Sequence, residues 1–482
     1  MSLIQKIFIL LIIVLGLFLR LYRLDYPVAD WHSFRQADTA SVTRIFSENG
    51  IDILHPKYHD LSNIQSGLEN PLGYRMVELP IYNIISVYFH QIFKTNIDIS
   101  SRLVSIIFSL GSGLLIFLIC YQQTKLFLPS FFALATFMLL PFNIYYSRTI
   151  LPEPTAVFFM LLSLYLFPIN LFSSAVFLAL SILIKPYTAI ILFPVFLIKL
   201  FTHKKSLIKL IIFSVISISP FIFWRLWISQ FPEGIPKSDW LLNNGVTTTF
   251  PAWYKGYNLS FLNKLIAFRP HWWQWLFFER VSNLILGAYG LIPLFLGLAF
   301  KKIHTQKFSF SLILGILLYF VVIAQGNIQH DYYQVLIIPF VSILLGFGYY
   351  YIYSFLFDSK ILSSLAILTL FGLSTYFSWN KIKSYYQINN NSIVEAGQKA
   401  QQFLPKNSLV IAPYNGDTAL LYQTGFSGWP IEIYDIPKLI SLHKDNKIYL
   451  VSVNLDNYTR SVIPHYKILL QNESFIILEL SK

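Results

Sequence analysis

This chain contains very little cysteine and few charged residues. Cys120 is the one cysteine in 482 residues, which excludes an intrachain disulfide and any metal site built from cysteine ligands. Charged residues make up 12% of the chain, about half of their share in soluble proteins, so an ordinary cytosolic protein is excluded. Apolar residues reach 55%, a content that excludes an intrinsically disordered chain.

Long apolar runs predict instead an all-α polytopic membrane protein. Such continuous runs are typical of transmembrane helices, whereas the strands of a transmembrane barrel alternate over short segments. No small-residue cleavage site follows the first run, so we expect an uncleaved helix there. The sequence predicts about eleven transmembrane helices, at 5–24, 102–120, 128–146, 153–168, 170–184, 186–201, 206–228, 282–300, 308–324, 333–357 and 361–379.

Acidic residues are scarcer than basic ones, 23 against 36, which gives a net charge of +13. In a membrane protein this excess is typical of cytoplasmic loops and of contacts with membrane lipids, so no nucleic-acid partner is expected. Two short basic turns, 203–205 and 301–304, both fall inside the cell if 79–93 lies along the membrane interface instead of spanning it. We therefore expect a plasma-membrane protein with a cytoplasmic N-terminus and an external C-terminus.

The composition changes after the last apolar run. Residues 1–379 form the predicted transmembrane domain, with large outer loops at 25–101 and 229–281, and residues 380–482 are rich in charge and Asn. This tail predicts a small soluble α/β domain outside the cell. It contains a helix-like stretch at 391–404 and strand-like runs at 409–412, 448–453 and 474–480.

With this topology, the ionisable residues next to the membrane gather on one face. Charges at such depths are costly and usually face a cavity where they have a function. The alternative is that pairs such as Arg148 with Glu153 only hold helix ends together. The residues concerned are Glu78, Arg148, Glu153, Lys185 and His330 at the ends of spans, and Asp30, His32, Arg35 and Asp38 in the first outer loop.

The stretch 30–44 is the densest in functional side chains. A helical period places His32, Arg35, Gln36 and Thr39 on one stripe, and Arg35 can pair with Asp38 three residues later. A carboxylate, an imidazole and a guanidinium within two turns can deprotonate a hydroxyl while they hold a phosphate. A surface amphipathic helix would more often repeat Lys and Glu.

This stretch, His32-Ser-Phe-Arg35-Gln-Ala-Asp38, resembles the first outer loop of integral-membrane C-type glycosyltransferases. The similar branch contains the protein O-mannosyltransferases and the lipid A aminoarabinose transferase. The resemblance to this branch covers about residues 5–345 and is only loose in the C-terminal tail. Four further motifs follow in order: Glu78-Leu-Pro80-Ile-Tyr82, Leu151-Pro152-Glu153-Pro154, Lys185-Pro186, and Gly326-Asn-Ile-Gln-His330-Asp-Tyr332-Tyr333.

The resemblance implies inverting transfer of a sugar from a polyprenyl phosphate to an acceptor hydroxyl at the outer face of the membrane. The acceptor would be a lipid, a glycan or a protein, and the sequence identifies neither it nor the sugar. Carried over by position, the resemblance makes Arg35 and Lys185 candidates for binding the donor phosphate and places Glu153 in the cavity. Arg148 and Arg269 are further phosphate candidates, and Glu78, His330, Tyr332 and Tyr333 are expected to line the same cavity.

Two departures from the resemblance affect the candidate base and the sugar. If Arg35 matches the arginine of the aminoarabinose-transferase pattern, His32 stands where that pattern has its acidic residue. We expect Asp30 to be the base, with His32 and Asp38 as alternatives. Leu79 replaces a lysine of that pattern, which argues against aminoarabinose as the sugar.

Loop 229–281 is rich in aromatic residues, which either anchor the chain at the membrane interface or stack on a sugar or isoprenoid. No cofactor is expected. A divalent metal on His32, Asp38 and His330 is an alternative that the chemistry does not demand, since no nucleotide diphosphate has to be neutralised. The aromatic residues are Trp240, Trp253, Tyr254, Tyr257, Trp272, Trp273 and Trp275, and the loop also carries Arg269, His271 and Arg280.

Two other functions are compatible with parts of the sequence. A transporter or flippase for lipid-linked sugars would place its charges at the bilayer midplane and often shows inverted repeats, and neither feature is evident here. A non-catalytic subunit of envelope-polymer assembly would use the same fold as a scaffold. The irregular acidic position in the first loop keeps this last alternative open.

Overall fold

The computed structural model describes residues 1–203, 207–237, 269–300 and 303–481. The chain divides into two compact units. The membrane unit comprises Met1–Tyr22, Ser105–Trp224 and Ser238–Ser384, and the sheet unit comprises Arg23–Val104, Arg225–Lys237 and Tyr385–Lys482. Residues 23–104 thus belong to the same unit as the C-terminal residues, an association that the division of the sequence near residue 380 did not predict.

Helices dominate the described residues. They are α1 Leu3–Arg20, α2 Ser33–Asn49, α3 Ile81–Phe93, α4 Ile97–Thr124, α5 Phe127–Leu139, α6 Pro141–Tyr146, α7 Glu153–Leu166, α8 Leu171–Ile184, α9 Tyr187–His203, α10 Leu207–Ile228, α11 Pro270–Trp275, α12 Leu291–Leu298, α13 Ile303–Val322, α14 Ala324–Gln329, α15 Ile338–Tyr351, α16 Lys360–Ile382, α17 Asn391–Phe403, α18 Ala419–Thr424, α19 Ile436–Leu442 and α20 Asn457–Val462. Two π-helical segments, Leu276–Ile285 and Ile352–Leu356, and a 3₁₀ segment, Asp331–Ile337, adjoin them.

Six helices among the described residues are long and apolar enough to cross a membrane, as expected for a multi-pass membrane protein. The predicted number of eleven is not confirmed. Several of the remaining predicted spans form helices that are too short to cross on their own. A 14-residue helix such as α7 is only about 21 Å long, whereas the hydrocarbon core is about 30 Å thick. The six are Leu3–Arg20, Ile97–Thr124, Ile208–Ile228, Thr305–Val322, Asp331–Leu356 and Lys360–Phe403.

Two predicted spans are interrupted for local reasons. The run 128–146 breaks at Leu140, whose backbone is extended because Pro141 follows and disfavours a helical conformation before it. The run 282–300 breaks at Gly287 and Ala288, which both have positive φ values. Apolar composition predicted these runs, but it carries no information about such interruptions.

Segment 79–93 forms the 13-residue helix α3, which belongs to the sheet unit. Its length places it outside the helices that could cross a membrane. Its Val87 joins a small core with Val42 and Phe46 of α2 and with Tyr58. Packing against α2 therefore positions this amphipathic helix, and its location along the membrane interface stays a prediction.

The sheet unit contains a five-stranded mixed sheet. Its strands are β1 Leu409–Ile411, β2 Ser427–Trp429, β3 Ile448–Ser452, β4 Lys467–Gln471 and β5 Ile476–Glu479, in the order β2-β1-β3-β5-β4. β1 pairs in parallel with β2 and β3, and β5 pairs antiparallel with β3 and β4. The predicted helix 391–404 and the predicted strands at β1, β3 and β5 are confirmed. β2 was missed because its sequence, Ser427-Gly428-Trp429, contains no run of apolar residues, and β4 because it is mostly exposed.

Residues 59–61, which belong to the predicted first outer loop, extend this sheet at the edge next to β2. The Leu61 amide donates to the Gly428 carbonyl at 2.8 Å, and the Gly428 amide donates to the His59 carbonyl at 2.9 Å. Gly428 is required there, because a Cβ atom would lie 1.8 Å from the Val410 carbonyl oxygen. These bonds join the first outer loop to the C-terminal sheet within one unit.

Candidate active site

Asp30 lies three residues before the start of α2 in the sheet unit and is fully buried. Its carboxylate accepts a hydrogen bond of 2.6 Å from the Gln36 amide, which also donates to the Trp31 carbonyl at 3.1 Å. The Asp30 carbonyl accepts from the Ser33 amide at 3.0 Å and from the Asn389 side chain at 3.2 Å. The first turn of α2 and the C-terminal segment together hold this carboxylate in one orientation.

His32 is the residue before α2 and has a left-handed backbone, with a φ of 57°. Non-glycine residues adopt this conformation uncommonly, so the turn is specific. The imidazole is half-buried beside Trp31 and Phe34, at 5.0 and 5.9 Å between ring centroids. Trp31 in turn stacks on Tyr385 at 4.8 Å. His32 thus belongs to an aromatic cluster at the start of the helix.

Arg35 and Asp38 form ion pairs with residues that follow α2. Arg35 pairs with Glu78, and Asp38 pairs with Arg75 at 2.8 Å. Asp38 also accepts a hydrogen bond of 2.7 Å from the Thr418 hydroxyl. The sequence suggested pairing between Arg35 and Asp38 themselves, whereas the structure gives each of them a partner from outside the helix. A cavity of about 20 Å³, enough for a single water molecule, is lined by both pairs.

Two further carboxyl groups interact with the charge of Asp38: Asp60, which is buried, and Asp417, which is half-buried. Burial, together with the negative charge of Asp38, raises the pKa of Asp60 to about 6. A hydrogen bond from Ser62 acts in the opposite direction and lowers this pKa. Burial and Asp38 likewise raise the pKa of Asp417 to about 6. His59 shows the opposite shift, because burial and the nearby Arg44 lower its pKa to about 3. This part of the sheet unit therefore holds groups that change charge between pH 3 and 6.

Glu153 and Lys185 form a buried ion pair in the membrane unit. Glu153 is the first residue of α7, where the helix N-terminus favours a carboxylate. Lys185 follows the last residue of α8, which ends before Pro186. Lys185 Nζ lies 2.8 Å from Glu153 Oε1, with 8% and 2% of the two side chains exposed. Glu153 Oε2 is buried and has no hydrogen-bond partner among the described residues.

Asp331 is the centre of a second buried cluster in the membrane unit. The Tyr146 hydroxyl donates to its carboxylate, and Arg280 lies 3.5 Å from its other oxygen. The Arg280 guanidinium also lies over the Trp275 ring at 4.8 Å, and its Nε has no hydrogen-bond partner within the described part of the chain. Arg280 therefore keeps donor capacity that a ligand could use.

An aromatic stack connects these two clusters. His330 stacks on Tyr332 at 5.2 Å, and Tyr332 stacks on Tyr333 at 4.8 Å. Tyr333 lies 5.9 Å from Tyr187, two residues after Lys185. The structure therefore brings together five of the predicted membrane-unit residues: Glu153, Lys185, Tyr333, Tyr332 and His330.

The two other predicted arginines, Arg148 and Arg269, also belong to the membrane unit. Arg148 is fully buried, with its guanidinium 5.2 Å from the centre of the Tyr145 ring. Glu153 forms its ion pair with Lys185, whereas the alternative considered from the sequence was a helix-end pair of Glu153 with Arg148. Arg269 precedes α11, and its carbonyl accepts from the Trp272 amide at 3.1 Å. Of the aromatic residues predicted in this loop, Trp240, Trp253, Tyr254 and Tyr257 lie outside the described residues.

Four partners of these residues were missed by the sequence analysis: Arg75, Thr418, Tyr146 and Asp331. Asp331 offered a signal, since it stands inside the motif 326–333 and directly after His330. Arg75 and Thr418 offered none, because their proximity to Asp38 arises only when distant segments fold together. Among the described residues, no group of three or more His, Cys, Asp and Glu side chains is placed to hold a metal ion.

Comparisons with known proteins support the fold. No protein-family model matches the chain, and no curated protein matches it. ArnT from Cupriavidus metallidurans, solved with undecaprenyl phosphate bound, is similar over 98% of both chains, with a TM-score of 0.65 and 12% identity. The oligosaccharyltransferase AglB from Archaeoglobus fulgidus, in complex with an inhibitory peptide and a dolichol-phosphate, has a TM-score of 0.57 and 10% identity over 94% of this chain and 70% of that chain.

A third similar structure is the arabinofuranosyltransferase AftD from Mycobacteria, with a TM-score of 0.56 and 11% identity over 100% of this chain and 40% of that chain. All three are glycosyltransferases of the C type. The C-type glycosyltransferase fold predicted from the motifs is therefore confirmed.

Proposed function

We propose that this protein transfers a sugar from a polyprenyl-phosphate donor to an acceptor hydroxyl, with inversion at the anomeric carbon. The fold supports the proposal, since similar structures were solved with undecaprenyl phosphate and with dolichol-phosphate. The order of the sequence motifs supports it as well. The sugar and the acceptor, whether lipid, glycan or protein, are left open.

The observation that carries the proposal is the buried Glu153–Lys185 pair, in which one Glu153 oxygen has no hydrogen-bond partner in the part of the chain that the structure describes. Transfer of two charges from water into a protein interior costs several kcal/mol for each ion, and an apolar pair of similar volume is often as stable. Ionisable groups retained at such a cost usually serve a function. An unpartnered buried oxygen adds a second cost, which a hydroxyl group of a bound ligand would relieve.

We assign the donor phosphate to the cations of the membrane unit. The bond between the anomeric carbon and the phosphate oxygen breaks, and its electrons remain on the phosphate. Lys185 and Arg280 can stabilise this departing negative charge through charge-assisted hydrogen bonds in a water-poor site. Arg280 is the better placed of the two for a new anion, because its contact with Asp331 is long, at 3.5 Å.

We assign the acceptor-activating base to the sheet unit and prefer Asp30. Gln36 orients the Asp30 carboxylate, which is the task of a positioning residue beside a general base. Asp38 already forms an ion pair with Arg75 and accepts a hydrogen bond from the Thr418 hydroxyl, so it fits a structural role. His32 remains the alternative. As the acceptor oxygen bonds to the anomeric carbon, its proton passes to the base.

The test is donor turnover by the purified protein. The protein is incubated with radiolabelled polyprenyl-phosphate sugars and a membrane extract as the source of acceptor. We expect the parent to release polyprenyl phosphate and Asp30→Asn to lose about 10²–10⁴-fold in rate. Asp52→Asn is the matched control, since Asp52 is an exposed carboxylate of the same unit with His55 as its partner. Equal loss of rate in both variants, or full activity of Asp30→Asn, would contradict the assignment.

A further inference from the structure

A second concave site lies in the sheet unit, apart from the residues assigned above. It is a groove of about 510 Å³, within the range of about 300–1,000 Å³ that is typical of small-ligand sites. We call it the acidic groove. Its lining includes Asn63, Glu69, Trp429, Glu432, Tyr434 and Asp435.

Two walls form the acidic groove. On one wall, the Asn63 side chain donates to Glu69 at 3.1 Å. On the other, the Tyr458 hydroxyl donates to the Ile433 carbonyl at 3.0 Å and accepts from the Ile433 amide at 3.2 Å. These two bonds fix the backbone next to Tyr434. The groove is therefore formed before a ligand arrives, which reduces the entropy lost on binding.

Tyr434, which lines this groove, has an exposed aromatic ring. Its side chain is 81% exposed, although a large aromatic residue normally buries its ring. Its hydroxyl donates to Glu432, and its ring lies 5.5 Å from the Tyr458 ring in an edge-on arrangement. The ring is thus held with a face open to solvent. An open aromatic face next to a carboxylate matches a sugar, which offers a C–H face and hydroxyl donors on the same ring.

The charge of the groove favours one kind of ligand. Glu69, Glu432 and Asp435 are acidic, and Lys438 and His443 are the basic residues of the lining, while the whole chain carries a net charge of +13. Carboxylates accept hydrogen bonds from hydroxyl and amino groups but repel phosphates and anionic lipid headgroups. The lining therefore favours an uncharged sugar or an amino sugar over an anionic ligand.

We propose that the acidic groove is a saccharide-binding site that takes an uncharged or amino-sugar glycan. A sugar ring stacks on Tyr434, and its hydroxyl groups donate to Glu432 and Glu69. Saccharide binding itself is independent of the proposed glycosyl transfer. The use of the groove to hold the glycan part of an acceptor rests on that proposed function.

The test is binding of neutral and amino oligosaccharides to the full-length protein. The protein is held in nanodiscs, so that no sugar-headed detergent competes, and maltohexaose, mannohexaose, chitohexaose and a chitosan hexamer are titrated by saturation-transfer NMR. We expect at least one of them to bind, and Tyr434→Ala to weaken that binding about tenfold. Phe403→Ala is the control, because Phe403 is an exposed aromatic residue of the same unit outside the groove lining.

Three results would overturn the proposal. The first is no binding of any of the four saccharides at concentrations up to about 10 mM. The second is equal affinity of the parent and Tyr434→Ala. The third is binding of octalysine without binding of a saccharide, which would make the groove a site for basic peptides. Donor turnover is measured on the same samples: turnover without saccharide binding removes this proposal alone, and saccharide binding without turnover removes the proposed transferase function alone.

Discussion

Lys185 and Glu153 provide the sharpest test of function at the scale of single residues. The pair would be structural if its loss mattered only because one charge is left buried without the other. It would be functional if the charges themselves are needed for the reaction. Single substitutions cannot separate these two cases, since each of them leaves the partner charge uncompensated. A double substitution to apolar residues of similar volume can.

We predict that Lys185→Met lowers the free energy of unfolding by about 3–5 kcal/mol, because the Glu153 carboxylate stays buried without its counter-charge. The double variant Lys185→Met/Glu153→Leu should recover most of this loss. Both variants should lose donor turnover, since the cation next to the phosphate is absent. Thermal unfolding in detergent and the turnover assay measure the two effects.

A double variant that is stable and fully active would show that the pair only holds α7 and α8 together. Lys185→Arg serves as the conservative control, because it keeps the charge at this position. We expect it to retain more turnover than Lys185→Met.

Asp60 allows a pH prediction for the sheet unit. Its pKa rises from the ordinary 3.8 to about 6 because the carboxyl group is buried. Between these two values, the folded chain holds a proton that the unfolded chain has released, so stability from this group falls as the pH rises from about 4 to about 6. Above that window the destabilisation is complete, since the charge is present in both states.

We therefore predict that Asp60→Asn, which mimics the protonated acid, gains stability relative to the parent as the pH rises from 4 to 7. The expected gain is on the order of 2–3 kcal/mol. Unfolding temperatures of both proteins, compared at each pH, isolate this one group from others such as His59. A difference that stays constant across the range would show that Asp60 ionises at its ordinary pKa.

Sequence motifs predicted the buried ionisable residues better than they predicted the partners of those residues. Glu153 and Lys185 were predicted from short motifs at helix ends, and the structure joins them at 2.8 Å although 32 positions separate them. Arg75 and Thr418 were not predicted, because a helical period pairs only residues one turn apart. Partners from distant segments depend on the fold, which a single sequence does not specify at this level.

Close packing of α12 against α15 is the clearest determinant of stability at the scale of elements. A Cβ atom at Gly348 would lie 1.7 Å from the Pro293 carbonyl oxygen, and one at Gly297 would lie 2.0 Å from that of Leu344. Helices in membranes associate through such small residues, because lipid chains are as apolar as the side chains and packing decides the contact. These two glycines therefore set the distance between the helices.

We predict that Gly348→Ala destabilises the protein by at least about 3 kcal/mol or prevents its assembly, since backbone must move to admit the methyl group. Gly372→Ala is the matched control, because nothing lies within 4 Å of a Cβ atom at Gly372 in α16. The control should change stability by less than about 1 kcal/mol, in the direction of stabilisation. The unfolding temperature and the yield of folded protein are measured for both variants. Equal values for Gly348→Ala and Gly372→Ala would contradict the close packing of α12 against α15.

The fold class was predictable at this scale, but the ends of several elements were not. Apolar runs of sufficient length predicted helices in the membrane unit, and short strand-like runs predicted β1, β3 and β5. The interruptions at Pro141 and Gly287 were not predicted, because hydropathy averages over windows longer than the break. The contact of residues 59–61 with β2 was also missed, since backbone hydrogen bonds of a loop leave no pattern in side chains.

Orientation in the membrane is a prediction for the whole molecule. The basic turns near 203–205 and 301–304 predict a cytoplasmic N-terminus and an external sheet unit. Cys120 is fully buried, so added cysteines can be labelled selectively. A membrane-impermeant maleimide should label Lys444→Cys in intact cells, and Ser2→Cys only after permeabilisation. The reverse pattern would invert the topology and place the sheet unit in the cytoplasm.

The fate of a doubly labelled donor tests the central claim most directly. The polyprenyl phosphate carries one isotope and its sugar another, and the protein is reconstituted in liposomes with an acceptor extract. We predict that the two labels separate, with one polyprenyl phosphate released for each sugar that reaches an acceptor, and that Asp30→Asn abolishes the separation. Labels that stay together and cross the bilayer as intact donor would contradict glycosyl transfer and make this protein a lipid-linked sugar transporter.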